Sequence, residues 1–225
     1  PPHTWSWVFS EQSRGDYIRD RLPHLLPCCS YRDHYQYSNI MYAVAGQLVE
    51  SLTRSSWEDY VQTHLLDPLQ MRHTAFLDEN WAGTPQLARP CKRSGTGWQP
   101  LAPFFARAHH PIAPASEMLS TPRDMMVWLA AHTEQLGAFL SSRSFQDFCA
   151  PHMLIAEERP HPALGPLSYG YGWRHETFRG RPHLWHTGGC TGYSAVASFL
   201  PGEGHAVCLL NNTQANTGYM LALWY

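Results

Sequence analysis

The chain has 225 residues, enough for one sizeable domain or two small ones with a substantial core. Its 44% hydrophobic and 13% aromatic content excludes a disordered segment. A net charge of −2, on basic residues that are scattered and almost all arginine, leaves no nucleic-acid footprint.

Residues 1–36 carry Trp5, Trp7, Phe9 and Tyr17 without a clean period, followed by Pro23, Pro27 and the Cys28-Cys29 pair, which predicts a loop with a short helix around residues 14–22. Adjacent cysteines seldom bond each other, so Cys28 and Cys29 are expected to be buried thiols. From Met41 the apolar residues Met41, Val44, Ala45, Leu48, Val49 and Leu52 recur at three- and four-residue steps, predicting a helix from Asn39 to about Thr53 with that face buried. Ser55 and Glu58 form a capping box for a second helix that stops before Pro68. Residues 78–116, rich in Pro, Gly and Ala, read as a long excursion with a turn at Gly95-Thr96-Gly97. Thr121 caps another helix with Pro122 at its first position; Met125, Met126, Trp128 and Leu129 supply core, and the helix ends near Gly137.

After residue 168 the period changes. Residues 169–176, 183–187, 194–200 and 205–210 are short aromatic and β-branched runs separated by glycine-bearing connections, which argues for an antiparallel meander. Residues 216–225 read as the first turns of a terminal helix. The fold class is therefore α+β: residues 1–168 mainly helix and loop, residues 169–225 an antiparallel sheet, in one partial domain.

Two polar motifs stand out. Tyr37-Ser38-Asn39 places a phenol and a carboxamide two residues apart at a helix mouth, although a capping Asn beside a core Tyr explains the same triplet locally. His186-Thr187-Gly188-Gly189 has the form of a Lys-Thr-Gly strand motif with His in place of Lys. In that order the pair resembles the serine β-lactamase-related family, which includes class C β-lactamases, D-alanyl-D-alanine carboxypeptidases and esterase-like relatives. The likeness continues through residues 37–76 with Pro68-Leu69-Gln70-Met71, through Pro114-Ala115-Ser116 and Leu119-Ser120-Thr121-Pro122-Arg123-Asp124, and through Tyr169-Gly170-Tyr171-Gly172-Trp173 to Asn211-Asn212. It covers about three quarters of the chain and implies a β-lactamase/transpeptidase-like fold, an antiparallel sheet flanked by helices beside a mainly helical half.

The family's Ser-x-x-Lys is absent, since Lys92 is the only lysine and Arg89 precedes it by three positions. The chain thus reads as lacking the N-terminal segment that bears the nucleophile. Its poverty in lysine and wealth of Arg, Trp, His and Cys suggest an animal β-lactamase-like protein. The resemblance implies a proton path through Tyr37, an orienting role for Asn39, a part-charged imidazole at His186 in place of a fixed cation, and substrate binding along Thr187, Gly188 and Gly189, with the Gly189 amide as an oxyanion donor. It implies that Tyr37, Asn39 and His186 converge on one cleft.

None of the fourteen histidines forms a metal-binding helix pair with a nearby carboxylate, and His183 and His186, three apart on a strand, face oppositely, so no metal or other cofactor is expected. The expected partner is a small-molecule or peptide substrate. The leading function is a serine hydrolase acting on an amide or ester through an acyl-enzyme; the alternative is a non-catalytic relative that binds a peptide, lipid or protein in the same cleft.

Overall fold

The computed structural model describes residues 12–76, 81, 85–102, 110–116, 118–134, 136–137, 139–156, 162–190 and 192–213. Among them the helices run α1 (Arg14–Arg21), α2 (Asn39–Thr53), α3 (Trp57–Val61), α4 (Pro122–Thr133) and α5 (Ser142–Phe148). The strands run β1 (Ala75–Phe76), β2 (Cys91–Ser94), β3 (Gly97–Pro100), β4 (Met118–Leu119), β5 (Met153–Ile155), β6 (Leu167–Gly170), β7 (Trp173–Phe178), β8 (Arg181–Cys190), β9 (Tyr193–Leu200) and β10 (His205–Asn211). The chain alternates between two compact units, the first made of Pro1–Cys28, Gln36–Ala88 and Pro103–Asp124, the second of Cys29–Tyr35, Arg89–Ala102 and Met125–Tyr225. The terminal helix expected over residues 216–225 lies outside the described residues. No described helix is long and apolar enough to cross a membrane.

The first unit is built on α2, which spans the predicted residues but buries a different face. Ile40, Ala43 and Gly46 are inside, while Met41, Leu48 and Leu52 are 47%, 57% and 75% exposed. Small residues win the inner face because other groups press close: a Cβ on Gly46 would stand 2.3 Å from Pro114 Cγ and 3.6 Å from Arg14 Cδ. Tyr17 of α1 completes that core with Ile40, Ala43 and Ile112.

Arg14 ties the unit together from a buried position. Its guanidinium donates to Glu50 of α2, to Glu58 of α3 at 2.6 Å and to the Pro111 carbonyl at 3.3 Å. It also lies 5.8 Å from the Trp57 ring centroid. This recruitment explains why the expected capping box fails. Glu58 serves Arg14 rather than the helix end, so the cap moves one residue to Ser56, whose Oγ accepts from the Asp59 amide at 3.0 Å. The cap of α4 is as predicted: Thr121 Oγ1 accepts from the Asp124 amide at 3.2 Å. The buried Asp124 carboxylate in turn accepts from the His73 amide at 2.8 Å and from Thr74 Oγ1 at 2.9 Å, fixing the start of α4 to the approach to β1.

In the second unit six strands form one antiparallel sheet in the order β10-β9-β8-β7-β6-β5. The run predicted over residues 169–176 is two strands, because Tyr171 and Gly172 both adopt left-handed backbone (φ 44° and 86°) and make a two-residue hairpin turn. Arg179 and Gly180 (φ 51° and 80°) do the same between β7 and β8. β5 was not expected; it is three residues long and adds an edge strand to β6. Leu184 and Trp185, adjacent on β8, face opposite ways. Leu184 packs with Leu129, Trp173 and Phe199, and Trp185 with Ile155 and Leu167. Leu129 is core as predicted, but Met126 is 42% exposed, and α4 ends at Thr133 rather than near Gly137. The six cysteines are thiols. Cys28 is exposed and Cys29 half-buried, contrary to the expectation of burial, because residues 28–34 form a surface turn rather than part of a core.

Candidate active site

Tyr37 and Asn39 belong to the first unit. Ser38 occupies the N-cap position of α2 with extended backbone (φ −147°, ψ 108°) yet makes no side-chain capping bond. Asn39 is the first helical residue, and its Oδ1 is a buried atom with no hydrogen-bond partner among the described residues. Tyr37 is 45% exposed. The bland reading, a capping Asn and a core Tyr, fails on both residues. Asn39 Oδ1 is thus a buried acceptor left unsatisfied among the described residues, two positions from a half-exposed tyrosine.

His186 to Gly189 belong to the second unit, along β8. His186 Nδ1 lies 2.7 Å from the Thr187 carbonyl oxygen, which can only accept, so Nδ1 carries the proton. Nε2 is then left as a lone pair, 3.0 Å from Tyr169 Oη, which donates to it. The two rings meet edge-on, 5.8 Å apart, and Tyr169 packs in turn on Tyr35 at 5.5 Å. Burial first, and then the nearby Arg174 guanidinium, lower the His186 pKa below 6.5, against the opposing pull of the Thr187 carbonyl. His186 is therefore a neutral imidazole near pH 7, held at both nitrogens. Tyr169 opens the Tyr169-Gly170-Tyr171-Gly172-Trp173 stretch, and only the pairing of β6, β7 and β8 brings it to the ring.

Thr187, Gly188 and Gly189 are exposed on the same strand. A Cβ on Gly188 would meet only Ala195 at 3.6 Å, and one on Gly189 only the Tyr193 carbonyl at 3.9 Å. Protein packing does not demand glycine at either position, whereas close approach of another molecule to the backbone would.

A second constellation lies within the sheet. His183 Nδ1 donates toward Glu176 Oε1 at 3.1 Å, and its Nε2 lies 2.7 Å from Ser198 Oγ. Serine, histidine and carboxylate stand in the order of a hydrolase triad. Their exposures of 1%, 0% and 7% close them to any substrate, so the trio is a satisfied buried network rather than a catalytic site.

Helices and an antiparallel sheet of this kind are those of a β-lactamase/transpeptidase-like α+β fold. A family model described as beta-lactamase matches residues 1–225, and the chain belongs to that family, one of serine hydrolases. It is 27% identical over 191 residues to an unguisins hydrolase of Aspergillus campestris, covering 84% of this chain and 34% of that protein. The chain thus spans about a third of that curated relative. Its fold is shared with an octameric penicillin-binding protein homologue from Pyrococcus abyssi at a TM-score of 0.77 and 18% identity, covering 99% of this chain and 50% of the other. A D-amino acid amidase from Ochrobactrum anthropi, solved with L-phenylalanine amide, aligns at a TM-score of 0.63 and 20% identity over 91% of this chain and 58% of its own.

Proposed function

We propose that the whole protein is a serine hydrolase that cleaves a neutral amide or ester through an acyl-enzyme. A serine oxygen attacks the carbonyl carbon, its proton passes by way of Tyr37, and the leaving amine or alcohol departs with that proton before water releases the acyl group. Asn39 orients the substrate carbonyl, the Gly189 amide donates to the developing oxyanion, and Thr187 and Gly188 line the strand against which the substrate lies. No serine in residues 1–225 stands three positions before a lysine, so the attacking oxygen is assigned to the whole protein and not to one of these residues.

The observation that carries the reading is the state of His186. Where a Lys-Thr-Gly lysine presents a permanent cation to a substrate carboxylate, His186 presents an uncharged ring tied to Tyr169 and Thr187. The ring itself offers no charge to an anionic group, the nearby Arg174 guanidinium being engaged over the Trp185 ring, and it suits an uncharged acyl chain. Support comes also from the amidase neighbour, which holds an amino acid amide.

Turnover of a neutral ester or amide by the whole protein, against the same compound bearing a carboxylate, tests this directly. The neutral compound is expected to be preferred, His186→Ala to lower its kcat/KM by about 10²–10⁴-fold, and His186→Lys to shift preference toward the carboxylate. Preference for the anionic compound in the unaltered protein would overturn the proposal, and binding of both without turnover would make the protein a non-catalytic relative.

A further inference from the structure

Residues 28–34 close a surface turn. The Asp33 amide donates to the Ser30 carbonyl at 3.1 Å, and Arg32 takes left-handed backbone (φ 63°), so the chain folds back within four residues. The turn brings together three side chains of different chemistry. One ligand atom each from Cys29, Asp33 and His34, a thiol sulfur, a carboxylate oxygen and a ring nitrogen, lie within 4.8 Å of one another. Asp33 Oδ2 and His34 Nδ1 are 2.9 Å apart. Cys-x-x-x-Asp-His matches no common metal spacing, and only the turn closes it.

We propose that Cys29, Asp33 and His34 form a binding site for a zinc-type divalent cation. Thiolate, imidazole and carboxylate together are the donor set of a borderline-soft ion, whereas calcium and magnesium select oxygen alone. To reach tetrahedral spacing around bonds of about 2.0–2.3 Å the widest separation must close by roughly 1 Å and the Asp33–His34 pair must open by about half an ångström, and the site lies on a half-exposed turn where side chains can make both moves. Binding releases the Cys29 thiol proton to solvent and replaces the His34–Asp33 hydrogen bond, the ring proton moving to the imidazole nitrogen that does not ligate. With three protein ligands the fourth position belongs to water. Cys28 is not part of the set, its sulfur lying 2.7 Å from Gln36 Oε1.

The turn runs directly into Tyr35, whose ring packs on Tyr169, the residue that donates to His186. A cation at Cys29, Asp33 and His34 would therefore clip shut the turn that delivers Tyr35. This site stands independently of the hydrolase reading, because its test is metal binding and not turnover.

The chelator-treated chain is titrated with cobalt(II) and followed by the thiolate-to-metal absorption in the near ultraviolet. One equivalent is expected to bind with that band and to be displaced by zinc. The band is expected to vanish in Cys29→Ser, to weaken with about 10–100-fold lower affinity in Asp33→Asn and His34→Ala, and to persist in Cys28→Ser. Circular dichroism of each variant guards against unfolding. Absence of the band at millimolar cobalt, its survival in Cys29→Ser, or its loss in Cys28→Ser would each overturn the assignment.

Discussion

His186 can take up a proton only by surrendering the bond from Tyr169, and burial makes the resulting cation costly. The expectation of a part-charged imidazole is corrected toward the neutral form for that reason. In the whole protein the acid limb of kcat/KM is accordingly expected below pH 6.5. Tyr169→Phe, which removes the donor to Nε2 and so eases protonation, should move the limb upward, and His186→Lys should flatten it. A profile identical in all three proteins would assign the limb to another group. His132 shows the same physics applied to stability. It is fully buried among Trp128, Phe148, Trp173 and Phe199, and burial lowers its pKa to about 4. A group whose folded pKa lies below its unfolded value stabilises fully above the unfolded value, and that contribution is lost as pH falls. Between pH 6.5 and about 4 the chain should lose roughly 3 kcal/mol on this account. Urea unfolding at stepped pH should show this slope in the unaltered chain and a shallower one in His132→Phe.

Helix α2 was legible in extent and misread in orientation, and Arg14 and Pro114 are the reason for the second. Apolar periodicity locates a helix because only a helix brings such residues to one stripe, but it does not say what the opposite side meets. Here that side carries Ala43, Gly46, Gln47 and Glu50, and it faces a buried guanidinium and a proline ring, neither of which has any periodic signature. Replacing Arg14 by Met would keep much of the volume while removing the buried cation that Glu50 and Glu58 share. The expected cost is about 3–5 kcal/mol, read as a fall in the urea midpoint with loss of helical signal. A change below about 1 kcal/mol would show that Glu58 finds another donor. The turn at Gly180 was read more faithfully, since that glycine supplies a positive φ that few other residues adopt without cost, whereas the turn at Gly172 lay inside a run read as one strand. β5 escaped because three residues carry too little pattern to be told from loop.

At the scale of the whole chain, the family was readable from motif order, while the partners of the site were not. Tyr169 and His186 are 17 positions apart and meet only through two hairpins, and the Glu176-His183-Ser198 network needs three strands in register. That network raises a question that labelling answers. A fluorophosphonate probe needs an exposed, activated serine, and Ser198 is 1% exposed, so residues 1–225 are expected to show no stoichiometric labelling. Labelling at Ser198 would mean that the sheet opens and that its triad is competent.

The strict neighbour-to-neighbour order of the sheet also bears on how the chain acquires its shape. Each of its strands pairs with the one just before or after it in sequence, so the loops that must close are short and their entropic cost is small. Contact order is low within residues 153–211, whereas the first unit must gather three separate stretches of chain around Arg14. Hairpin-by-hairpin zippering should protect the β6 to β9 amides, and with them the seat of His186, ahead of those of α2 in pulsed hydrogen exchange during refolding.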